Sequence, residues 1–182
     1  KTQATKNYIG IYADNSVEWI VLFWAILRSG NHPYLVNLRQ PDSFTSHILQ
    51  TLDAKYVICV EKTKDYGCEC LLYEELEKDS VDSSILDDVL FGDEIAITTS
   101  GTTLKEKICI YKGENFANQV LNSNSIVKRN PMIKKHYKGR LKQLAFLPLY
   151  HIFGLSAMYF WFCFINKYLT YNTNQTANQK GF

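Results

Sequence analysis

Short apolar runs alternate with longer segments of helical periodicity along this chain. Runs rich in β-branched and aromatic side chains predict strands at residues 8–13, 32–38, 55–60, 93–97, 108–112 and 143–147. Amphipathic or apolar segments predict helices at residues 17–28, 42–52, 114–128 and from about residue 152 onward. Residues 61–92 are acidic and weakly periodic, and predict only a short helix at 73–78. Strands separated by helices indicate an α/β fold with a mainly parallel sheet flanked by helices.

The first helix carries signals at both of its ends. Asn15, with Glu18 three residues later, predicts a capping box at its start, and Gly30 predicts its C-terminal end. The segment between them is apolar on nearly every face, so we expect the helix to lie under other elements. Its aromatic residues are expected in the core, namely Trp19, Phe23 and Trp24.

Composition is typical of a globular protein. The chain has 182 residues, 46% hydrophobic and 21% charged, enough for one domain or for part of a larger one. A net charge of +2 gives no reason to expect nucleic acid or an anionic membrane as a partner. The longest apolar runs, 17–27 and 152–165, are shorter than the roughly 18–20 residues that span a bilayer. Five cysteines without metal-ligand spacing favour reduced thiols in a cytoplasmic protein with no metal site of its own.

The end of the chain differs in composition from the rest. It is rich in Asn and Gln and shows no periodicity. We therefore expect a folded domain over residues 1–166 and a polar, poorly ordered tail over 167–182.

A hydroxyl-rich loop separates two of the predicted strands. Residues 98–107 are Thr-Thr-Ser-Gly-Thr-Thr-Leu-Lys-Glu-Lys. Hydroxyl and backbone N–H groups donate to phosphate oxygens, glycine lets the main chain come close, and lysine neutralises charge. The spacings of a Walker A loop and of a dinucleotide fingerprint are both absent. The pattern predicts a phosphate-binding loop of another kind, with an ordinary Thr-rich turn as the alternative.

Three blocks, in order, resemble the AMP-forming acyl-CoA synthetases, luciferases and peptide-synthetase adenylation domains. The first block, residues 9–19, is a strand, an Asn-Ser turn and an apolar helix. The third, residues 144–155, is close to the family's Leu-Pro-Leu-Tyr/Phe-His block. The second is the loop itself, similar to Thr-Ser-Gly-Ser/Thr-Thr-Gly-x-Pro-Lys-Gly. Its matching residues are Thr99, Ser100, Gly101, Thr102, Thr103 and Lys107.

The loop also departs from the family pattern at three positions. Leu104 replaces a glycine, Glu106 replaces the proline and Ile108 replaces the last glycine. If position 104 requires a positive φ, a side chain there costs about 1–2 kcal/mol. These substitutions leave open whether the loop still closes over a phosphate.

The resemblance implies a function and a set of site residues. Members of this family join a carboxylate to ATP, release pyrophosphate and pass the acyl group to CoA or to a carrier-protein thiol, with Mg²⁺ bound to the phosphates. Such chemistry serves fatty acid metabolism, among other pathways. By the same resemblance, the matching loop residues bind the nucleotide phosphates and His151 acts at the reacting carboxylate. The implied substrate pocket consists of Tyr150, His151, Phe153 and Gly154.

Later blocks of the family are missing from this sequence, including those that hold adenine, ribose and the metal. The resemblance therefore implies the partial N-terminal domain of an adenylate-forming enzyme, inactive alone and with the missing C-terminal portion as its partner. The alternative is a non-catalytic nucleotide- or acyl-binding remnant, or an interaction module.

Overall fold

The structure of the protein, a computed structural model, describes residues 7–61, 64–78, 91–99, 107–132, 143–161, 163 and 169–171. The chain forms two units, residues 1–112 and 113–182. In the first unit the elements are β1 (Tyr8–Tyr12), α1 (Val17–Arg28), β2 (His32–Leu35), α2 (Asp42–Thr51), β3 (Tyr56–Cys59), β4 (Glu69–Leu72), α3 (Tyr73–Leu76), β5 (Glu94–Thr99) and β6 (Lys107–Lys112). In the second unit they are α4 (Gly113–Arg129), β7 (Gln143–Ala145), a π-helix (Gly154–Phe160) and β8 (Leu169–Tyr171).

A six-stranded sheet forms the centre of the first unit. The strand order is β4-β3-β1-β2-β5-β6, and every neighbouring pair is parallel except β5 and β6. This arrangement confirms the predicted α/β fold with a mainly parallel sheet. Strand β4 was not predicted, because its four residues lie in the weakly periodic acidic segment.

Helices cover both faces of this sheet. Helix α1 packs on β1 and β2, whereas α2 packs over a core on the opposite face. That core contains Tyr34, Val36, Ile48, Leu49, Val57 and their neighbours. A Cβ on Gly10 would lie 2.9 Å from Val57 Cγ2 and 3.1 Å from Leu49 Cδ2. The missing side chain at position 10 therefore lets α2 approach β1 closely.

The start of α1 differs from the prediction, whereas its end agrees with it. Ser16, not Asn15, is the N-cap, and its hydroxyl accepts a hydrogen bond from Trp19 N at 3.1 Å. A cap at position 16 makes Trp19 the third helical residue, so Glu18 cannot complete a capping box. At the other end Gly30 has φ 81°, and the N–H groups of Gly30 and Asn31 donate to the carbonyls of Leu27 and Ile26. This is a Schellman motif, which stops the helix at the predicted glycine.

Only one side of α1 is covered. Trp19 and Phe23 are fully buried and stacked, with ring centroids 5.5 Å apart. Val17, Val21 and Trp24 are 63%, 45% and 41% exposed on the opposite side. The expectation that the whole helix lies under other elements is wrong, as is the core placement of Trp24. In this unit the sheet covers one side of the helix, and these three side chains on its outer side stay exposed.

The second unit is built around α4 and the π-helix. Phe116 of α4 contacts Phe160, with ring centroids 5.4 Å apart, and Gln119 Nε2 donates to Ser156 Oγ at 3.4 Å. Strands β7 and β8 pair in parallel, starting with Gln143 opposite Leu169. Strand β8 lies within the predicted polar tail, and residues 172–182 lie outside the described part of the chain.

Gly154 lies in close contact with the backbone of the preceding turn. A Cβ at this position would lie 2.1 Å from the carbonyl oxygen of Pro148 and 3.3 Å from that of Leu147. Both atoms belong to the main chain, so a side-chain rotation cannot relieve such a contact. Position 154 therefore accepts only glycine without a backbone shift.

Within the described residues, no helix has both the length and the apolar character needed to cross a membrane.

We expect Ser16→Ala to lower the free energy of unfolding by about 1 kcal/mol, because the N–H of Trp19 loses its acceptor. Ser16→Asp should keep most of the stability, since a carboxylate also caps a helix. Urea denaturation of the three proteins measures both differences. An equal loss of unfolding free energy in the two variants would show that the hydroxyl does not act as a cap.

We expect Gly154→Ala to destabilise the protein by about 1–3 kcal/mol, the usual cost of overpacking. The sign of the change in unfolding free energy is informative, because replacing glycine by alanine inside a helix normally stabilises a protein by roughly 1 kcal/mol. Ala157→Gly, in the same helix, is the matched control and should cost only that propensity difference. A Gly154→Ala variant as stable as the parent protein in thermal unfolding would contradict the close contact with Pro148.

Candidate functional site

The hydroxyl-rich loop connects the two antiparallel strands β5 and β6. Thr99 and Lys107 form the last pair of this hairpin, and the Thr99 hydroxyl donates to the Lys107 carbonyl oxygen at 3.5 Å. The structure therefore places these two predicted site residues side by side. Ser100, Gly101, Thr102 and Thr103 lie outside the described residues, as does Leu104.

The direction of β5 determines the edge of the sheet at which the loop lies. β5 is parallel to β2, which is parallel to β1, and β1 is parallel to β3. The carboxyl ends of all four strands therefore meet at one edge. In open α/β sheets ligands bind beyond this edge. The Thr99–Lys107 pair lies where such a fold would present a binding loop.

The start of the loop is attached to the neighbouring connection. Thr98 is buried, and its hydroxyl donates to Gln40 Oε1 at 3.3 Å. Gln40 lies between β2 and α2, in a connection that also begins at the carboxyl edge. Sequence reasoning missed Gln40, although its position in the connection that follows a strand of the parallel sheet was a usable signal. The bond ties the end of β5 to the connection between β2 and α2.

Lys107 and Thr99 together present suitable groups for an anion. Lys107 is exposed on the edge strand β6, and Thr99 is half-buried. An ammonium group donates up to three hydrogen bonds and carries a positive charge. The single hydroxyl proton of Thr99 is donated to the Lys107 carbonyl oxygen. A phosphate oxygen near this pair would gain charge neutralisation and hydrogen bonds from Lys107, and Thr99 would add a donor by exchanging its long bond to the Lys107 carbonyl for one to the phosphate.

Near the carboxyl ends of β1 and β3, several polar side chains of the protein contact one another. Lys64 Nζ lies 3.1 Å from Asp42 Oδ1 and 5.2 Å from the centre of the Tyr12 ring. Tyr66 is fully buried, and its hydroxyl donates to Asp42 Oδ1 at 3.4 Å. The hydrogen bonds to Tyr12 and then to Asp42 raise the pKa of Lys64. These side chains are paired with one another, whereas the β2–β5 side of the edge carries the start of the hydroxyl-rich loop and is the candidate binding region of this unit.

Polar contacts at the opposite edge of the sheet are structural. Tyr8 donates to Glu94 Oε2 at 2.7 Å, and Glu94 N donates to the Nδ1 atom of buried His32 at 3.2 Å. Burial, followed by the hydrogen bond to Glu94, raises the pKa of Tyr8. Glu94 is the first residue of β5, at the end of the strand away from the loop. His32, to which the sequence assigned no role, therefore anchors β5 to the amino ends of β1 and β2.

Two of the cysteines, Cys59 and Cys68, are poorly suited to act as catalytic nucleophiles. Burial, and then the nearby thiol of Cys70, raises the pKa of Cys59 to about 11 and that of Cys68 to about 11. Thiols with such pKa values remain protonated near neutral pH and react slowly. In the described ranges, no group of three or more His, Cys, Asp or Glu residues could hold a metal ion.

In the second unit, the implied pocket residues divide into exposed and buried pairs. His151 is exposed and Phe153 is 59% exposed, whereas Tyr150 and Gly154 are buried. His151 N donates to the Pro148 carbonyl at 3.1 Å, so residues 148–151 form a turn between β7 and the following helix. The buried pair holds this turn in place, and the exposed pair is available to a ligand.

The imidazole of His151 is held by the backbone that follows it. Phe153 N donates to His151 Nδ1 at 3.3 Å. Residues 152 and 153 are the first helical residues, whose N–H groups have no partner inside the helix. The imidazole therefore accepts a hydrogen bond from one of these N–H groups, as side-chain oxygens do at the starts of other helices.

Comparison with solved structures shows the same fold. The o-succinylbenzoate CoA synthetase (MenE) of Bacillus subtilis in complex with the acyl-adenylate intermediate OSB-AMP has a TM-score of 0.71 and 19% identity, covering 91% of this chain and 42% of that chain. The same protein in complex with ATP and magnesium ion has a TM-score of 0.73 and 16% identity, covering 96% and 46%. The inhibitor-bound N-terminal domain of FACL13 from Mycobacterium tuberculosis has a TM-score of 0.69 and 20% identity, covering 92% and 44%. The chain thus spans less than half the length of the matched chain in each of these three structures.

No curated protein matched the chain. The model of one protein family, described as AMP-binding enzyme, matches residues 3–176. That match covers nearly the whole sequence and includes both the hydroxyl-rich loop and the His151 turn. The chain therefore belongs to the AMP-binding enzyme family.

Proposed function

We propose that this chain is the N-terminal part of an ATP-dependent enzyme that activates a carboxylate as an acyl-adenylate. The observation that carries the proposal is the Thr99–Lys107 pair, which brackets the loop at the carboxyl edge of the sheet. The family match and the fold shared with an ATP-bound synthetase support it. The loop, comprising Thr99, Ser100, Gly101, Thr102, Thr103 and Lys107, is proposed to bind the β- and γ-phosphates.

The residues of the loop are suited to the charge that develops in this reaction. A carboxylate oxygen attacks the α-phosphorus and pyrophosphate leaves, so negative charge builds on the phosphates. Hydroxyl and ammonium donors that are already in place stabilise that charge, and holding the phosphates in line adds to the rate. Mg²⁺ would add a further positive charge on the phosphate oxygens. Because Mg²⁺ usually keeps water and phosphate ligands, the lack of a three-residue metal cluster in the described ranges is compatible with it.

The His151 turn is proposed to form part of the carboxylate site. His151 and Phe153 are exposed, so a ring nitrogen and an aromatic face are both accessible to a ligand. Tyr150 and Gly154 would shape the pocket from beneath. That the activated acid belongs to fatty acid metabolism is part of this proposal.

The second half-reaction would transfer the acyl group to CoA or to a carrier-protein thiol. This chain spans less than half of each similar structure, and we propose that it depends on a further C-terminal portion for adenine, ribose and metal contacts. Alone, it would bind nucleotide phosphates without completing the reaction.

We expect the 182-residue chain to bind Mg·ATP, and Lys107→Ala to weaken this binding about tenfold. A charge-assisted contact at a solvent-exposed position contributes about 1.4 kcal/mol, which corresponds to a factor of ten. Isothermal titration calorimetry measures both dissociation constants. Lys55→Ala is the matched control, since Lys55 precedes β3 and lies outside the loop.

Two outcomes would contradict the phosphate-loop proposal. An equal loss of Mg·ATP affinity in Lys107→Ala and Lys55→Ala would indicate a general effect of charge. No detectable ATP binding to the parent chain would favour the non-catalytic alternative, with Leu104 as the first position to revert to glycine.

We expect no ATP–pyrophosphate exchange above background with the chain alone, for any of a panel of aliphatic and aromatic acids. A reaction that depends on positioning loses many kcal/mol of acceleration when groups that orient the nucleotide are absent. Radiolabelled pyrophosphate exchange is the measurement. Robust exchange that disappears in Lys107→Ala would show that the chain is an enzyme without further segments.

A further inference from the structure

The contact between His151 and Phe153 constrains the chemistry of the imidazole. A nitrogen that accepts a hydrogen bond must present a lone pair, so His151 Nδ1 carries no proton while Phe153 N donates to it. In a neutral imidazole one nitrogen is protonated and the other is not. The proton of neutral His151 is therefore on Nε2.

The backbone around His151 holds the donor in place. His151 N donates to the Pro148 carbonyl at 3.1 Å, and Leu155 N donates to the His151 carbonyl at 2.9 Å. Gly154, directly after the donor, lies against the Pro148 carbonyl, where a Cβ would be only 2.1 Å away. Both sides of the His151–Phe153 bond are thus fixed by main-chain contacts.

Ser156 adds a further connection within the same helix. Its hydroxyl donates to the Ile152 carbonyl at 2.7 Å and accepts from Gln119 Nε2 of α4 at 3.4 Å. Ile152 lies between His151 and Phe153, so the helix start that provides the N–H is itself tied to α4. The geometry at Phe153 N is therefore maintained by the packing of the unit.

We infer that the main-chain N–H of Phe153 is a positioning group that fixes His151 as the tautomer protonated at Nε2. This inference deepens the proposed function and rests on it for its ligand. The proton on Nε2 makes this nitrogen a hydrogen-bond donor. Neutral His151 would donate to an anionic oxygen of the carboxylate or of the acyl-adenylate. It would not act through Nε2 as the base that takes a proton.

Nitrogen NMR of the ¹⁵N-labelled full chain tests the tautomer without any ligand. At a pH where the imidazole is neutral, the Nε2 resonance of His151 should have the shift of a protonated nitrogen and the Nδ1 resonance that of a bare one. A through-hydrogen-bond coupling between Phe153 N and His151 Nδ1 should be detectable in the same sample. Finding the proton on Nδ1, or finding no such coupling, would overturn the inference.

A pair of variants isolates the donor from its side chain. Phe153→Pro removes the N–H at a first-turn position, where proline is tolerated because this N–H has no partner inside the helix. In this variant the ¹⁵N chemical shifts of His151 Nδ1 and Nε2 should move toward each other, because the two tautomers mix. Phe153→Ala keeps the N–H and removes only the exposed ring, so its shifts should match the parent protein. Equal changes in both variants would contradict the inference, and the coupling in the parent chain decides the matter if Phe153→Pro does not fold.

The inference and the proposed function can fail separately. A chain that binds Mg·ATP but carries the His151 proton on Nδ1 keeps the proposed function and loses the inference. A chain with the Nε2 proton and the coupling, but without ATP binding, keeps the tautomer assignment and loses the proposed function.

Discussion

The parallel pairing of β5 with β2 is the constraint on which the first unit depends. Tyr34 pairs with Ala96 and Leu35 with Ile97, and both strands are buried on their two faces. In such a pair, a shift by one residue would move every side chain to the wrong face, so the register is strongly fixed. The register places Thr98 against Gln40 and leaves Thr99 as the last residue of the strand. The position of Thr99, where the candidate phosphate loop begins, thus follows from packing in the core.

Much of the first unit could be predicted because its signals are local. The strands and helices appeared as changes of hydrophobic period, and Gly30 ended α1 where expected. The cap was misplaced by one residue because Asn15 and Ser16 are both good capping residues. Which of them provides the acceptor depends on the angle at which the chain leaves β1. Trp24 was misplaced because a helix that is apolar on all faces does not show which side meets the sheet.

The candidate site could be predicted in part. The resemblance of three sequence blocks identified the loop and the His151 turn, and the structure pairs Thr99 with Lys107. The resemblance did not identify Gln40, because its hydrogen bond with Thr98, 58 residues away along the chain, depends on the strand order. It also did not identify the N–H of Phe153, because a backbone donor leaves no residue type to recognise. The functional roles of all the predicted site residues stay predictions, namely those of Thr99, Ser100, Gly101, Thr102, Thr103, Lys107, Tyr150, His151, Phe153 and Gly154.

The contact between Gly154 and the Pro148 carbonyl limits how this protein can be changed by mutation or by engineering. A pocket that must accept a larger or smaller acid is usually altered by changing the size of a lining side chain. Position 154 does not offer that freedom, because even a methyl group meets main-chain atoms. Phe153, in contrast, has a largely exposed side chain and contributes only its N–H to the turn. If this turn lines the proposed carboxylate site, a change of acid preference there would begin at position 153, where the ring can be replaced while the backbone donor to His151 is retained.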